Sequence, residues 1–184
     1  MNQYINIQIN PDAEFPENVL LNKTFTKLHK ALHTLNATDI GVSFPNYKVK
    51  LGDVIRLHSS KARLAELQAT NWLGGLVGYC DVSEIQAVPS EAKYRNISRK
   101  QSNMTEAKLR RLIKRGSITE AEAKNYKAKM FSQGLDNPYL ELQSASTGEN
   151  YRIFIQFGEI VEHAVEEGEF NHFGLSKTAT IPWF

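Results

Sequence analysis

The chain has 184 residues, 41% hydrophobic and 23% charged, with a formal net charge of +2, ordinary values for a soluble globular protein able to build one large domain or two small ones. Its apolar stretches fall short of a membrane span, and Met1-Asn2-Gln3-Tyr4 lacks the basic and apolar regions of a signal peptide. Cys80 stands alone, which excludes an intramolecular disulfide and a thiolate zinc site and leaves a cytoplasmic protein as the expectation.

Tyr4 to Asn10 alternates, with Ile5, Ile7 and Ile9 against Asn6, Gln8 and Asn10, which predicts a half-buried strand. Pro11-Asp12 turns the chain. Pro16 and Glu17 then open a helix with the apolar stripe Leu21, Phe25, Leu28, Leu32 and Leu35. His29 sits about 100° from Leu28, at the edge of that stripe, where one side packs and the other faces out. His33 lies further toward solvent; its four-residue spacing from His29 suits a metal, but no third His or Cys is near in sequence. A border histidine is most simply structural, yet its titration range also suits proton transfer.

Ile40, Val42 and Phe44 predict a second strand ending at Pro45, and Val54 to Leu57 a third. Ser60 caps a short helix carrying Leu64 and Leu67, and a last strand is expected within Glu84 to Val88. The order β-α-β-β-α-β over residues 1–90 is the ferredoxin-like arrangement, two helices on one face of a four-stranded sheet. The fold class is therefore α+β, with residues 91–184 as a C-terminal α/β region.

Past Pro89 the charge changes. Lys93 to Lys129 holds twelve Lys or Arg and three acids, +9 in one segment against −7 elsewhere. Such segregation is the footprint of a polyanion partner, and nucleic acid is the natural one. Within it, Thr105 to Gly116 reads as a helix: Thr105 caps it, Glu106 suits its positive end, and Gly116 ends it. Leu109, Leu112 and Ile113 share one face, while Lys108, Arg110, Arg111, Lys114 and Arg115 fill the opposite one. The plainer reading is a solvated face, but no acid interleaves with these cations, so their repulsion stays uncompensated until phosphates neutralise it.

Thr119-Glu120-Ala121-Glu122 forms a capping box for a helix through Ala128. Tyr139–Gln143 and Tyr151–Phe157 read as strands joined by Ser144-Ala145-Ser146-Thr147-Gly148, either a plain hairpin turn or a phosphate cradle of hydroxyls and amides. Phe170 to Lys177 reads as a strand entering a loop. Neither a nucleophile elbow nor a Walker loop is present, and Glu120/Glu122 and Glu166/Glu167 look like helix-start and surface charges, not a two-metal centre.

Several strings, in order from end to end, resemble one family. Pro11-Asp12-Ala13-Glu14-Phe15-Pro16, Lys27-Leu28-His29 and Ile40-Gly41-Val42-Ser43-Phe44-Pro45 are similar to the CRISPR-associated endoribonuclease that cuts repeat RNA in subtype I-F systems. So are Tyr94-Arg95, Ser98-Arg99, Gln101, the basic helix, Ser144 to Gly148, Gly174-Leu175-Ser176-Lys177 and Pro182-Trp183-Phe184. The resemblance implies an enzyme that binds the CRISPR repeat stem-loop of the pre-crRNA and cuts it at the stem base without metal or cofactor. It also implies retention of the mature crRNA within a type I-F surveillance complex of several subunits, away from any membrane. By position it assigns catalysis to His29 and Ser144, and purine reading to Arg99 and Gln101. Phosphate contacts fall to Arg111, Lys114 and Arg115, with Lys108 and Arg110 on the same helix; Ser146 and Thr147 lie in the RNA-facing turn, and Tyr151 stacks on the terminal base pair.

Chemically, RNA supplies its own 2′-OH nucleophile, so the protein need only deprotonate, align and neutralise, giving a 2′,3′-cyclic phosphate and a 5′-OH. Two departures stand out. Phe173 replaces a tyrosine of the best-known relative beside the active site, and the stretch between Gln101 and Leu112 is two residues shorter, with Lys114 for an arginine. The competing expectation is a non-catalytic subunit that grips the hairpin with an idle His29; a helix-turn-helix DNA regulator is disfavoured by the strand patterns around the basic helix.

Overall fold

The computed structural model describes residues 1–100, 106–132, 136–143 and 148–184, side chains at 106, 107 and 130–132 excepted. The chain forms two compact units, Met1–Arg99 with Pro138–Phe184, and Lys100–Asn137.

In the larger unit the strand β1 (Gln3–Ile9) leads to helix α1 (Glu17–Thr34), then β2 (Gly41–Ser43), β3 (Val54–Ser59) and helix α2 (Lys61–Ala69). β1 pairs antiparallel with β3 in a register that sets Ile5 opposite Leu57 and Ile7 opposite Ile55. The alternation read in the sequence thus places one apolar face of both strands together. Against that face α1 buries Leu20, Leu21, Thr24, Phe25, Leu28 and Leu32, and α2 buries Leu64 and Leu67. Each large apolar side chain taken from water stabilises by about 2 kcal/mol.

Helix α1 starts without a side-chain cap; Asp12 instead accepts from the backbone N–H groups of Glu14 and Phe15 and so sets the approach to Pro16. It ends in a paired closure, Asn36 N–H to His33 O and Ala37 N–H to Leu32 O, with Asn36 at φ 46°. Asparagine tolerates that left-handed conformation better than most residues. At α2, Ser60 accepts from Arg63 N–H, as its cap position predicts.

The strand expected within Glu84 to Val88 is the short β5 (Gln86–Ala87), and an unexpected β4 (Cys80–Val82) precedes it on the same edge of β1. Between them Ser83 N–H donates to Asn6 O, while Asn6 N–H donates to the Ser83 hydroxyl. A hydroxyl takes a carbonyl's place there, so the ladder breaks and resumes. The sheet path is β2-β3-β1-β4, with β5 off it on β1.

The second half adds β6 (Lys93–Arg95) and β7 (Ile97–Lys100), and in the smaller unit α3 (Glu106–Lys114) and α4 (Glu120–Ser132). β8 (Tyr139–Gln143), β9 (Asn150–Phe157) and β10 (Ile181–Trp183) return to the larger unit. β7, β9 and β8 form a three-stranded sheet, and β10 pairs with β6. Phe170–Lys177, expected as a strand, contains none: Asn171 folds it into a loop, and Gly174 takes φ 69°. α4 runs past the expected Ala128 to Ser132 behind the predicted box, Thr119 N–H donating to Glu122 and Glu122 N–H to Thr119 Oγ1.

Where β6, β9 and β10 meet, Arg95 is 8% exposed. Its Nε and Nη2 donate to Gly158 O at 3.0 and 2.6 Å, and Nη1 donates to Tyr47 Oη at 3.2 Å. The rings of Trp183, Phe157 and Tyr47 surround the guanidinium at 4.7, 5.2 and 5.7 Å.

Candidate active site and nucleic-acid interface

His29 stands on α1 at the border of the buried stripe and is half-buried. Its Nδ1 lies 2.9 Å from the carbonyl oxygen of His172. A carbonyl only accepts, so Nδ1 carries the proton and donates, and Nε2 keeps its lone pair. The imidazole also lies flat on Phe173, with ring centroids 3.9 Å apart and 5° between planes; Phe25 continues the stack beyond Phe173 at 6.3 Å and 8°. His33, exposed, meets the His172 ring edge-on at 4.9 Å.

Burial pushes the His29 pKa below its ordinary 6.5, while the His172 carbonyl bond pulls the other way. The nearby His33, His172 and Lys30 add to the lowering. A neutral imidazole with a bare Nε2 is the form a general base needs. The question raised by Phe173 has a concrete answer: with no hydroxyl there, a backbone carbonyl and a ring face hold His29.

The other buried histidine has a different character. His58 is fully buried on β3, its Nε2 2.8 Å from Ser43 Oγ and its Nδ1 without a hydrogen-bond partner. Burial, with Arg56 close by, pushes its pKa down to about 3. No substrate reaches it, so it belongs to the frame.

Ser144, Ser146, Thr147 and Gln101 lie outside the described residues, as does the Thr105 cap. The strand β8, which precedes residues 144–147 in the chain, is nonetheless tied to the helix bearing His29, through Glu141 N–H donating to Asn22 Oδ1 at 3.0 Å. Tyr151 lies opposite Leu142 on β9, half-buried against the core. Arg99 is exposed on β7.

In the smaller unit, Lys108, Arg110, Arg111, Lys114 and Arg115 are all exposed, and Leu109 is buried. One expectation fails: Ile113, placed on the apolar face, is 52% exposed, and Leu112 is only half-buried. α4 packs beside α3 in this unit, and of the three apolar residues of α3 only Leu109 is fully buried. The helix closes at Gly116, φ 64°, with Gly116 N–H to Ile113 O and Ser117 N–H to Leu112 O. Among the described residues, no three His, Cys, Asp or Glu side chains converge on a metal position.

The sequence reading missed the carbonyl of His172. The signal available was Asn171 with Gly174, a turn pair inside a string that alternates like a strand.

Comparison with known proteins agrees with the strings. The family model described as "CRISPR-associated protein (Cas_Csy4)" matches residues 4–184. The CRISPR-associated endonuclease Cas6/Csy4 of Escherichia coli (strain UTI89 / UPEC) is 40% identical over 185 residues, covering all of both chains. That of Pseudomonas aeruginosa (strain UCBPP-PA14) is 38% identical over 188 residues, again covering both entirely. A solved structure of Thermus thermophilus Cse3 bound to an RNA representing a pre-cleavage complex aligns over 99% of this chain and all of its own, at a TM-score of 0.35 and 10% identity, too distant to add to the argument. The segregated cations and the oriented histidine thus sit in a chain that matches its relatives from end to end, and the chain belongs to the Csy4 family of CRISPR-associated proteins.

Proposed function

We propose that this protein is the CRISPR repeat endoribonuclease of its system. It binds the repeat hairpin of the pre-crRNA and cuts at the stem base by attack of a 2′-OH on the adjacent phosphate. His29 takes the 2′-OH proton at Nε2 or returns one to the 5′-oxygen, and Ser144 aligns the nucleophile. The observation that carries this reading is the orientation of His29, whose Nδ1 donates to His172 O and so leaves the lone pair of the neutral ring on Nε2. Arg99 and Gln101 read bases, while Lys108, Arg110, Arg111, Lys114 and Arg115, with Ser146 and Thr147, hold phosphates and Tyr151 stacks on the stem end.

The reaction needs no metal, because the nucleophile is already in the substrate and its proton acceptor is a side chain. Residues 1–90 are read as a ferredoxin-like domain, supported by the antiparallel order β2-β3-β1-β4 with both helices on one face, and residues 91–184 as the RNA-binding region. The cut hairpin stays bound among partner subunits in the cytoplasm. No helix among the described residues is long and apolar enough to cross a membrane.

Single-turnover cleavage beside an equilibrium binding titration tests the reading. His29→Ala is expected to slow cleavage by roughly 10²–10⁴ with affinity held within a few fold. RNA lacking the 2′-OH upstream of the cut stays whole, and excess EDTA changes nothing. Wild-type cutting by His29→Ala, or normal cutting of deoxy RNA, leaves only a hairpin-binding subunit. Activity lost in EDTA and restored by Mg²⁺ overturns the metal-free step.

A further inference from the structure

If His29 is the base, its proton must sit on Nδ1, yet neutral imidazole in water favours the Nε2–H form, which offers no lone pair at Nε2. Something in the fold must invert that preference. We propose that the loop 171–175 is a tautomer clamp for His29, with Asn171 and Phe173 as positioning residues; this rests on the catalytic reading above and adds how the base is prepared.

Three observations build the clamp. The His172 carbonyl, 2.9 Å from Nδ1, rewards the Nδ1–H form alone. A half-exposed imidazole could rotate out of that bond, but Phe173, 3.9 Å away and within 5° of parallel, fixes the ring plane, and Phe25 backs Phe173.

The carbonyl is itself held still. Asn171 Oδ1 accepts from Phe173 N–H at 2.8 Å and Leu175 N–H at 3.3 Å, and Asn171 O accepts from Gly174 N–H at 2.7 Å. Gly174 O then accepts from Val42 N–H of β2 at 2.9 Å. The loop is thus wound on one asparagine and pinned to the central sheet. In such a clamp a hydroxyl at position 173 is dispensable, because a ring face supplies the alignment.

The test is the ¹⁵N signature of the His29 side chain in the RNA-free, full-length protein at a pH where the ring is neutral. Wild type is expected to show the Nδ1–H tautomer. Phe173→Leu and Asn171→Ala are expected to move it toward the Nε2–H form and to slow single-turnover cleavage by about tenfold or more, with hairpin affinity nearly kept. Phe173→Tyr, which preserves the ring face, is expected to keep the Nδ1–H signature.

A wild-type protein in the Nε2–H form overturns the clamp whatever the variants do. So does a Phe173→Leu protein that folds, by its amide spectrum, and retains Nδ1–H. Failure of the catalytic reading looks different: there His29→Ala cuts normally, whichever tautomer the spectra report.

Discussion

The imidazole of His29 and the phenyl ring of Phe173 are stacked, parallel within 5° at a centroid distance of 3.9 Å. The contact covers one face of the imidazole, and burial of the ring is the largest cause of its lowered pKa. A general base works in its neutral form, so activity is lost as pH falls through the lowered value. The acid limb of kcat/KM, which reports the free enzyme, is therefore expected to inflect below the ordinary histidine value of 6.5. An inflection at or above it contradicts this environment for the base.

Gly174 is predicted to resist substitution. Its φ is 69°, and a Cβ there overlaps the Val42 side chain of β2. Gly174→Ala is expected to lower stability by about 1–3 kcal/mol, read by urea denaturation. It should also slow cleavage more than it weakens binding, since the strain falls on the loop holding the His172 carbonyl. Unchanged stability removes the steric argument.

Arg111 and Arg115 are exposed on the basic helix. Alanine at either is expected to weaken hairpin binding and to reduce the slope of log affinity against log salt by about one. Arg99→Ala, on the exposed face of β7, should instead relax discrimination at one base by roughly 1–3 kcal/mol. Affinities and slopes equal to wild type over a salt series return α3 to an ordinary solvated surface.

His58 predicts how the frame fails in acid. Its folded pKa, about 3, lies below the unfolded 6.5, so between those values the unfolded chain binds a proton that the fold refuses. Stability is present above 6.5 and is lost as pH falls, by about 2 kcal/mol near pH 5. His58→Gln, which keeps a polar partner near Ser43, is expected to flatten that part of the stability curve. An identical pH slope in the variant assigns acid sensitivity elsewhere.

What could be read from the sequence follows a simple physical line. α1 was legible because an eighteen-residue helix repeats its apolar period several times and carries His29 at a computable angle. β6, β7 and β10, with three, four and three residues, are too short to show a period. β6 and β10 exist because they pair with each other, and β7 because β9 lies beside it, which is long-range information. His29 itself could be placed at the edge of a stripe, but its partner is a main-chain oxygen 143 residues away, and a carbonyl leaves no trace in residue identity. Phe173 showed the converse: its aromatic type was visible, whereas the stack that gives it a use was not.

The Arg95 crossing separates frame from grip. Its guanidinium is held by a carbonyl, a phenol and three ring faces, and none of those partners is a carboxylate. Screening by dissolved ions acts on attraction between net charges, so an ion pair at that crossing would loosen at the ionic strengths that release a polyanion. Arg95 has no such dependence. Concentrated salt should therefore strip nucleic acid from the protein while leaving the joint between its sheets closed, so that desalting alone returns a protein ready to bind again.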